Sequence, residues 1–272
     1  MESFSADWLT LREPADHAAR AETLVTTLAG RLAADGASAR AVDLASGTGS
    51  NVRYLLPRLA TITAWTVVDH DRALLAEASR RLAAHPGAAG HAFTVAPADL
   101  NHLAALPIDG AALVTASALL DLVSAEWMRA FVRRCREARV HVLCTLTYDG
   151  RLAGDPADAL DARVRELVNA HQRTDKGFGR ALGPDATAAA AAAFRAEGFD
   201  VMVADSDWVL DGSHAELQRQ LIDGWAGAAR DMAPAEAVAI AAWRDRRRAA
   251  VESGASRLRV GHGDLLALLP TA

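Results

Sequence analysis

Between residues 40 and 146, short apolar runs alternate with amphipathic stretches, and this rhythm constrains the fold more than any other feature. The runs at 41–44, 65–69, 92–96, 111–116 and 140–146 are short and evenly apolar. They suit parallel strands covered on both faces. The stretches at 50–59, 71–84 and 124–136 carry apolar residues at helical spacing. Such alternation predicts an α/β fold with a doubly wound, mostly parallel sheet. The pattern resumes with a helix at 185–197 and a strand at 199–204, and "RLRVGH" reads as a closing strand.

Three stretches fall outside the rhythm. Residues 1–39 read as an N-terminal helical arm, with Pro14 near its start and Leu24, Leu28 and Leu32 at helical spacing. Residues 148–183 are too long for a simple connection. They hold an amphipathic helix with Leu160, Val164, Leu167, Val168 and His171 on one face, then a glycine-rich hinge, "GFGRALGP". Residues 206–256 read as a helical insertion. The expected organisation is therefore an arm, 1–39, and one domain, 40–272, carrying a lid over the substrate at 148–183 and helices at 206–256.

Composition narrows the function. The chain has 272 residues, of which 51% are hydrophobic, so a sizeable core can form. No apolar run approaches the 18 or more residues of a membrane span. The start, "MESFSADWLT", lacks a basic segment followed by an apolar one, so no signal peptide and a cytoplasmic location are expected. Cys135 and Cys144 have no metal-ligand spacing and read as two buried thiols; no metal is expected. A net charge of −5 argues against a nucleic-acid partner. The densest basic patch, "WRDRRR", reads as a solvated helix face.

The first strand runs into a glycine turn and then a helix, "AVDLASGTGSNVRYL" at 41–55. Gly47 and Gly49 allow positive φ and close approach of a ligand. The following helix offers free N–H groups to negative charge. Asp69 ends the second strand, 20 residues beyond Gly49, where a carboxylate commonly takes ribose hydroxyls. A dinucleotide-binding turn would have a third glycine where Val52 stands. Asp43, just before the turn, would repel a pyrophosphate and suits an ammonium or sulfonium group.

"VDLASGTGSN" resembles motif I of the class I S-adenosylmethionine (SAM) methyltransferases, with Ala45 in place of the motif's first glycine. "TVVDHD" is similar to the second motif, "APADLNHL" to the third and "LVTASALLDLV" to the fourth. "RVHVLCTLTYDG" resembles the fifth strand, and "GFDVMVADSDWVL" and "SRLRVGH" the sixth and seventh, the last inserted antiparallel. The resemblance covers 40–147 well and 184–270 loosely. It implies a Rossmann-like, seven-stranded, mostly parallel sheet with helical insertions, SAM as cofactor, and methyl transfer to a small-molecule acceptor. Asp43 would bond the N–H groups of the turn and the SAM ammonium, and the turn residues Ala45, Ser46, Gly47 and Gly49 would hold the cofactor. Asp69 and His70 would meet the ribose, Asp99 and Leu100 the adenine, and Thr115 would lie beneath the cofactor. Alkyl transfer, cyclisation of SAM, or a non-catalytic subunit keeping the fold are the alternatives.

Other residues are weighed against plainer roles. Arg12 could fork onto the SAM carboxylate or be a surface arginine, and Trp8 beside it could meet substrate. Ser117 and Asp121 leave the fourth strand at the floor of the acceptor site; Asp121 could act in catalysis or cap the helix starting near Ser124. Asp99 could instead cap the turn at 101–106. "NAHQRTDKGFG" gathers His171, Arg173, Asp175, Phe178 and Lys176, the sole lysine. Arg173, Asp175 and Lys176 are read as contacts to an acceptor that carries a carboxylate or phosphate, His171 as its proton acceptor, and Phe178 as an aromatic cover.

Overall fold

The computed structural model describes residues 5–36 and 39–270. The parallel half of the sheet forms as the apolar runs require. Strands β1 (Ala39–Leu44), β2 (Ile62–Asp69), β3 (Ala92–Pro97), β4 (Leu113–Ser117) and β5 (His141–Asp155) pair in the order β3-β2-β1-β4-β5, all parallel. β6 (Asp200–Asp205), β7 (Trp208–Leu210) and β8 (Arg257–Leu268) complete an eight-stranded sheet. β8 lies between β5 and β6 and runs antiparallel to both, and the three-residue β7 also pairs with it. The order of strands along the sheet reverses between β1 and β4, so a crevice opens at their C-terminal ends.

Helices cover both faces. α2 (Glu22–Asp35), α3 (Ser50–Leu55) and α4 (Arg72–Ala83) pack on one side, burying Leu24, Leu28, Leu32, Leu55 and Leu82 against Trp65 and Leu143. α5 (Ala125–Ala138) and α7 (Ala186–Ala196) pack on the other, around Phe131 and Phe194. A third cluster joins α6 (Asp161–Gln172), α8 (Ala215–Met232) and α9 (Ala237–Glu252) to the far ends of β5 and β8. α1 (Ala6–Ala19) bridges this cluster and the crevice. Among the described residues no helix is long and apolar enough to cross a membrane.

The structure departs from the sequence expectations at several points. The arm is two helices, with Pro14 inside α1. It breaks at Arg20 because the Ala21 N–H donates to Asp264 Oδ2 at 3.0 Å instead of continuing the helix. β5 and the closing strand both run further than 140–146 and "RLRVGH", because each supplies the other's partner: Leu152 lies opposite Val260 and Asp155 opposite Arg257. The segment "WRDRRR" is only partly a solvated face. Trp243 and Arg247 are buried on Asp161 at the start of α6, with Trp243 Nε1 donating at 2.8 Å. Arg244, Arg246 and Arg248 pair at the surface with Asp245, Asp158 and Asp223.

Asp264 is the keystone of the junction between β8, β5 and the arm. Its Oδ1 accepts the Leu146 N–H at 2.7 Å, where β5 bulges and Leu146 takes φ +53°. That conformation costs a non-glycine residue roughly 1–3 kcal/mol and persists only where its surroundings fix it. Oδ2 holds Ala21 and lies 3.7 Å from Arg20 Nε. Removing one member of a buried ionic group typically costs about 3–5 kcal/mol, because the other charge is left stranded. Asp264→Ala is therefore expected to lower the unfolding free energy in urea by about 3 kcal/mol or more; wild-type stability in that variant would remove the keystone role.

Candidate functional site

A cavity of about 490 Å³ occupies the crevice. That lies within the ordinary range for small-molecule sites. Its floor is the glycine turn. Ala45, Gly47 and Gly49 take positive φ, at 51°, 51° and 77°. Ser46 sews the turn to the sheet: its Oγ donates to Asp43 O at 2.6 Å and accepts from Val68 N at 2.9 Å. Asp69 Oδ2 accepts from Gly47 N at 2.9 Å, and Oδ1 from Asp71 N at 3.0 Å. Asp71 itself caps α4, so Asp69 is not needed there. His70 Nδ1 stands 3.2 Å from Asp69 Oδ1. A Cβ on Gly47 would come within 2.9 Å of Leu9 on α1, so α1 lies directly over the turn.

Deeper in the cavity, Asp43 and Arg20 face the same space. Asp43 does not bond the turn N–H groups, as its position in sequence suggested. Its Oδ1 accepts from Asn51 Nδ2 at 2.7 Å, and its Oδ2 is buried without a partner. Burial pushes its carboxyl up to about 7, against the pull of the Asn51 amide. Arg20 donates through Nη1 to Asn51 Oδ1 at 2.7 Å, stacks 4.4 Å from the Tyr54 ring, and leaves Nε and Nη2 without hydrogen-bond partners.

Arg12 lines the cavity, yet its fork is taken by Asp16, at 2.9 Å from Nε and 3.1 Å from Nη2. Trp208 lies 5.0 Å beneath the guanidinium and donates Nε1 to Asp16 at 3.1 Å. Arg20, which sequence reasoning missed, is the arginine with donors to spare. One signal was present: Arg20 stands four residues before Leu24, on the same buried stripe as Leu28 and Leu32. Asn51 gave no signal beyond its place at the start of α3.

The opposite wall comes from Ser117, Ala118, Leu119, Leu122 and Leu146, and from His171, Thr174, Asp175, Lys176 and Gly177 after α6. Lys176 Nζ is 3.4 Å from His171 Nδ1. Asp175 Oδ1 accepts from Gly177 N at 2.7 Å and Gly179 N at 3.0 Å, which shapes the turn. Asn101 Nδ2 donates to Gly177 O at 3.1 Å and ties that turn to the loop after β3.

Several residues singled out from the sequence stand outside the wall. Phe178 does not cover the cavity; it is buried edge-on against Trp127, 5.6 Å between centroids, and anchors the turn. Arg173 turns away to Asp185 at 2.9 Å. Trp8 packs on the third cluster. Asp99 is half-exposed and accepts from Asn101 N at 2.9 Å, the plainer turn-capping role, while Leu100 does line the cavity. Thr115 is fully buried and accepts from Asn51 at 3.0 Å; Gly49 opens α3, where an added Cβ would meet Ala78 and Leu82 at 3.4 Å. Asp121 does not cap α5, because Ser124 does, at 3.1 Å to Trp127 N. Burial pushes the Asp121 carboxyl up to about 6, behind the wall and not in it.

No family model matches the chain, and no curated protein matches it. Solved structures do. The cyclopropane synthase MmaA2 from Mycobacterium tuberculosis superposes with a TM-score of 0.51 at 12% identity, over 97% of this chain and 94% of that one. The YcgJ protein from Bacillus subtilis gives 0.50 at 16%, over 92% and 100%. A SAM-dependent methyltransferase from Thiobacillus denitrificans in complex with S-adenosyl-L-homocysteine gives 0.47 at 16%, over 98% and 100%. Five parallel strands, an antiparallel strand inserted before the edge strand, and the glycine turn at the reversal point are the features the sequence resemblance implied. The chain shares the overall fold of the cyclopropane synthase MmaA2 and of YcgJ, at identities that show a common fold.

Proposed function

We propose that the protein is a SAM-dependent methyltransferase acting on a small acceptor that carries an anionic group. One observation carries the reading. Arg20 Nε and Nη2 and Asp43 Oδ2 are buried polar atoms without hydrogen-bond partners, and both residues line one cavity. Buried polar groups are normally satisfied, so such atoms call for a ligand. A buried cation with donors not used in hydrogen bonds, beside an anion with one unbonded oxygen, complements an α-amino-acid zwitterion, which is the methionine end of SAM. The glycine turn and Asp69 then face the nucleoside, with Leu74 and Leu100 as apolar walls. Asp69 still has lone pairs beyond those used on Gly47 and Asp71, and His70 stands beside it.

SAM supplies an electrophilic methyl carbon on a sulfonium. What this chain contributes is position, charge and exclusion of water. α1, with Leu9 on Gly47, covers the turn. Leu119, Leu122 and Leu146 give the acceptor an apolar bed, and Ser117 a hydroxyl. Lys176 as an ammonium has donors only, so in its contact with His171 the Nδ1 accepts. In that tautomer the His171 proton sits on Nε2, where it can be donated to an anionic acceptor. Two donors, Lys176 and His171, suit a carboxylate, phosphate or enolate oxygen. The nucleophile is then already deprotonated, and no base is required.

Three outcomes follow. Calorimetry is expected to show binding of S-adenosylhomocysteine and none of NAD, with Asp69→Ala weakening the former by about 1.5–3 kcal/mol; tight NAD binding would overturn the cofactor. The second outcome concerns pH. The folded Asp43 carboxyl, at about 7, lies above the ordinary 3.8, so below neutrality it is protonated and loses its attraction for an ammonium. Affinity for S-adenosylhomocysteine should therefore rise with pH through about 7, and Asp43→Asn should flatten the profile. For the empty protein the sign is reversed: stability falls as pH rises from 3.8 to about 7, because ionising the buried group is costly. Asp43→Asn should thus gain melting temperature over wild type at pH 8 and none near pH 4. The third outcome is kinetic, with an acceptor found by SAM-dependent labelling of a metabolite extract. His171→Ala and Lys176→Ala should leave cofactor affinity nearly unchanged and cut single-turnover rates at least about tenfold, ~1.4 kcal/mol. His171→Gln, which keeps a donor, should recover part of the rate. Normal rates in both alanine variants would remove that wall from the chemistry.

A further inference from the structure

Opposite charges buried in one cavity attract strongly, because little solvent screens them. A direct contact between Arg20 and Asp43 would satisfy both and leave nothing for a ligand. Asn51 stands between them. Its Oδ1 accepts from Arg20 Nη1 and its Nδ2 donates to Asp43 Oδ1, both at 2.7 Å. A carboxamide suits this place because it is neutral and offers an acceptor at one end and a donor at the other. Thr115 Oγ1, 3.0 Å from Nδ2, takes the second amide hydrogen and so fixes which way the amide faces. Asp264 Oδ2, 3.7 Å from Arg20 Nε, also pairs with the guanidinium. Arg20, Asn51 and Asp43 all line the cavity. The result is a split pair: each charge is held, and each keeps atoms without partners.

We infer that Asn51 is a positioning residue that keeps Arg20 and Asp43 apart, and thereby makes the pocket selective for ligands with an intact amino-acid end. The inference rests on the SAM reading above. A ligand carboxylate meets the spare donors of Arg20, and its ammonium meets Asp43 Oδ2. Neither charge has to break an existing ion pair with the other. Without the amide, Arg20 and Asp43 close on each other and compete with the ligand's zwitterion. The nucleoside half of the cavity, built from the glycine turn, Asp69 and Leu100, does not depend on Asn51.

The test compares two ligands on three proteins. S-adenosylhomocysteine carries the amino-acid end; 5′-methylthioadenosine lacks it. Both are titrated by calorimetry into wild type, Asn51→Leu and Asn51→Asp, each checked by thermal melting. Leucine removes both amide contacts at similar volume. Aspartate keeps the shape and the contact with Arg20 but removes the donor to Asp43. In both variants S-adenosylhomocysteine affinity should fall at least about tenfold, while 5′-methylthioadenosine affinity stays within about twofold. Equal losses for the two ligands would make Asn51 merely structural and overturn the inference, as would unchanged S-adenosylhomocysteine binding. If Asn51→Leu does not fold, the near-isosteric Asn51→Asp decides alone. Wild-type protein that binds neither ligand overturns the cofactor reading, and this inference with it; wild-type binding with equal losses overturns this inference only.

Discussion

The site depends on two opposite charges, on Arg20 and Asp43, that share a low-dielectric space without neutralising each other. Such an arrangement is costly in the empty protein. Burial raises the Asp43 carboxyl and lowers the Arg20 guanidinium, and both directions mean that the charged forms are disfavoured. The surrounding scaffold makes the arrangement persist. β1 delivers Asp43, β4 delivers Thr115, and β8 delivers Asp264, so three strands fix one constellation. The stored cost is returned when complementary charges arrive, which is how a preorganised site gains affinity without reorganising.

The rest of the crevice serves rigidity. Ser46 and Asp69 join the turn after β1 to β2, so the floor cannot shift without breaking bonds to the sheet. On the other wall, Phe178 on Trp127, Asp175 on two glycine N–H groups and Asn101 on Gly177 lock the turn that follows α6. Glycines there look like a hinge in the sequence. In the structure they are required by positive φ at Gly177 and Gly179. α6 is held at its other end by Trp243 and Arg247 of α9 on Asp161. The helices of the 206–256 stretch therefore act on the cavity at a distance, by fixing the helix that carries His171.

Much of this was legible in the sequence where local pattern governs. Alternating apolar runs located the parallel strands to within a few residues, apart from the end of β5, and the glycine turn located the crevice. Asp43, Ser46, Gly47, Asp69 and Leu100 stand in the cavity wall because strand ends and their turns have one place to go in this fold. What failed was long-range. The sequence pointed to Arg12 and not to Arg20, and the tertiary placement of Asp16 beside one and Asn51 beside the other distinguishes them. Phe178 read as a mobile cover because nothing local reveals that Trp127, from another helix, receives it. The end of β5 was hidden for the same reason: its partner β8 comes more than 100 residues later, as the Leu146–Asp264 bond illustrates.

Asp264 has a consequence for how the molecule is made. It joins Ala21 to a strand 243 residues further on, and that strand is threaded between β5 and β6. A ribosome releases the chain from its N-terminus, and non-local strand pairing is slow. Throughout synthesis, then, Arg20 waits without its carboxylate, the edge of β5 stays open, and the bulge at Leu146 has nothing to hold it. The bonds from Asp264 to Ala21 and Leu146 can form only once that strand has been made. A product that has assembled its parallel strands but lacks β8 has no Asp264 to hold Arg20, Ala21 and Leu146.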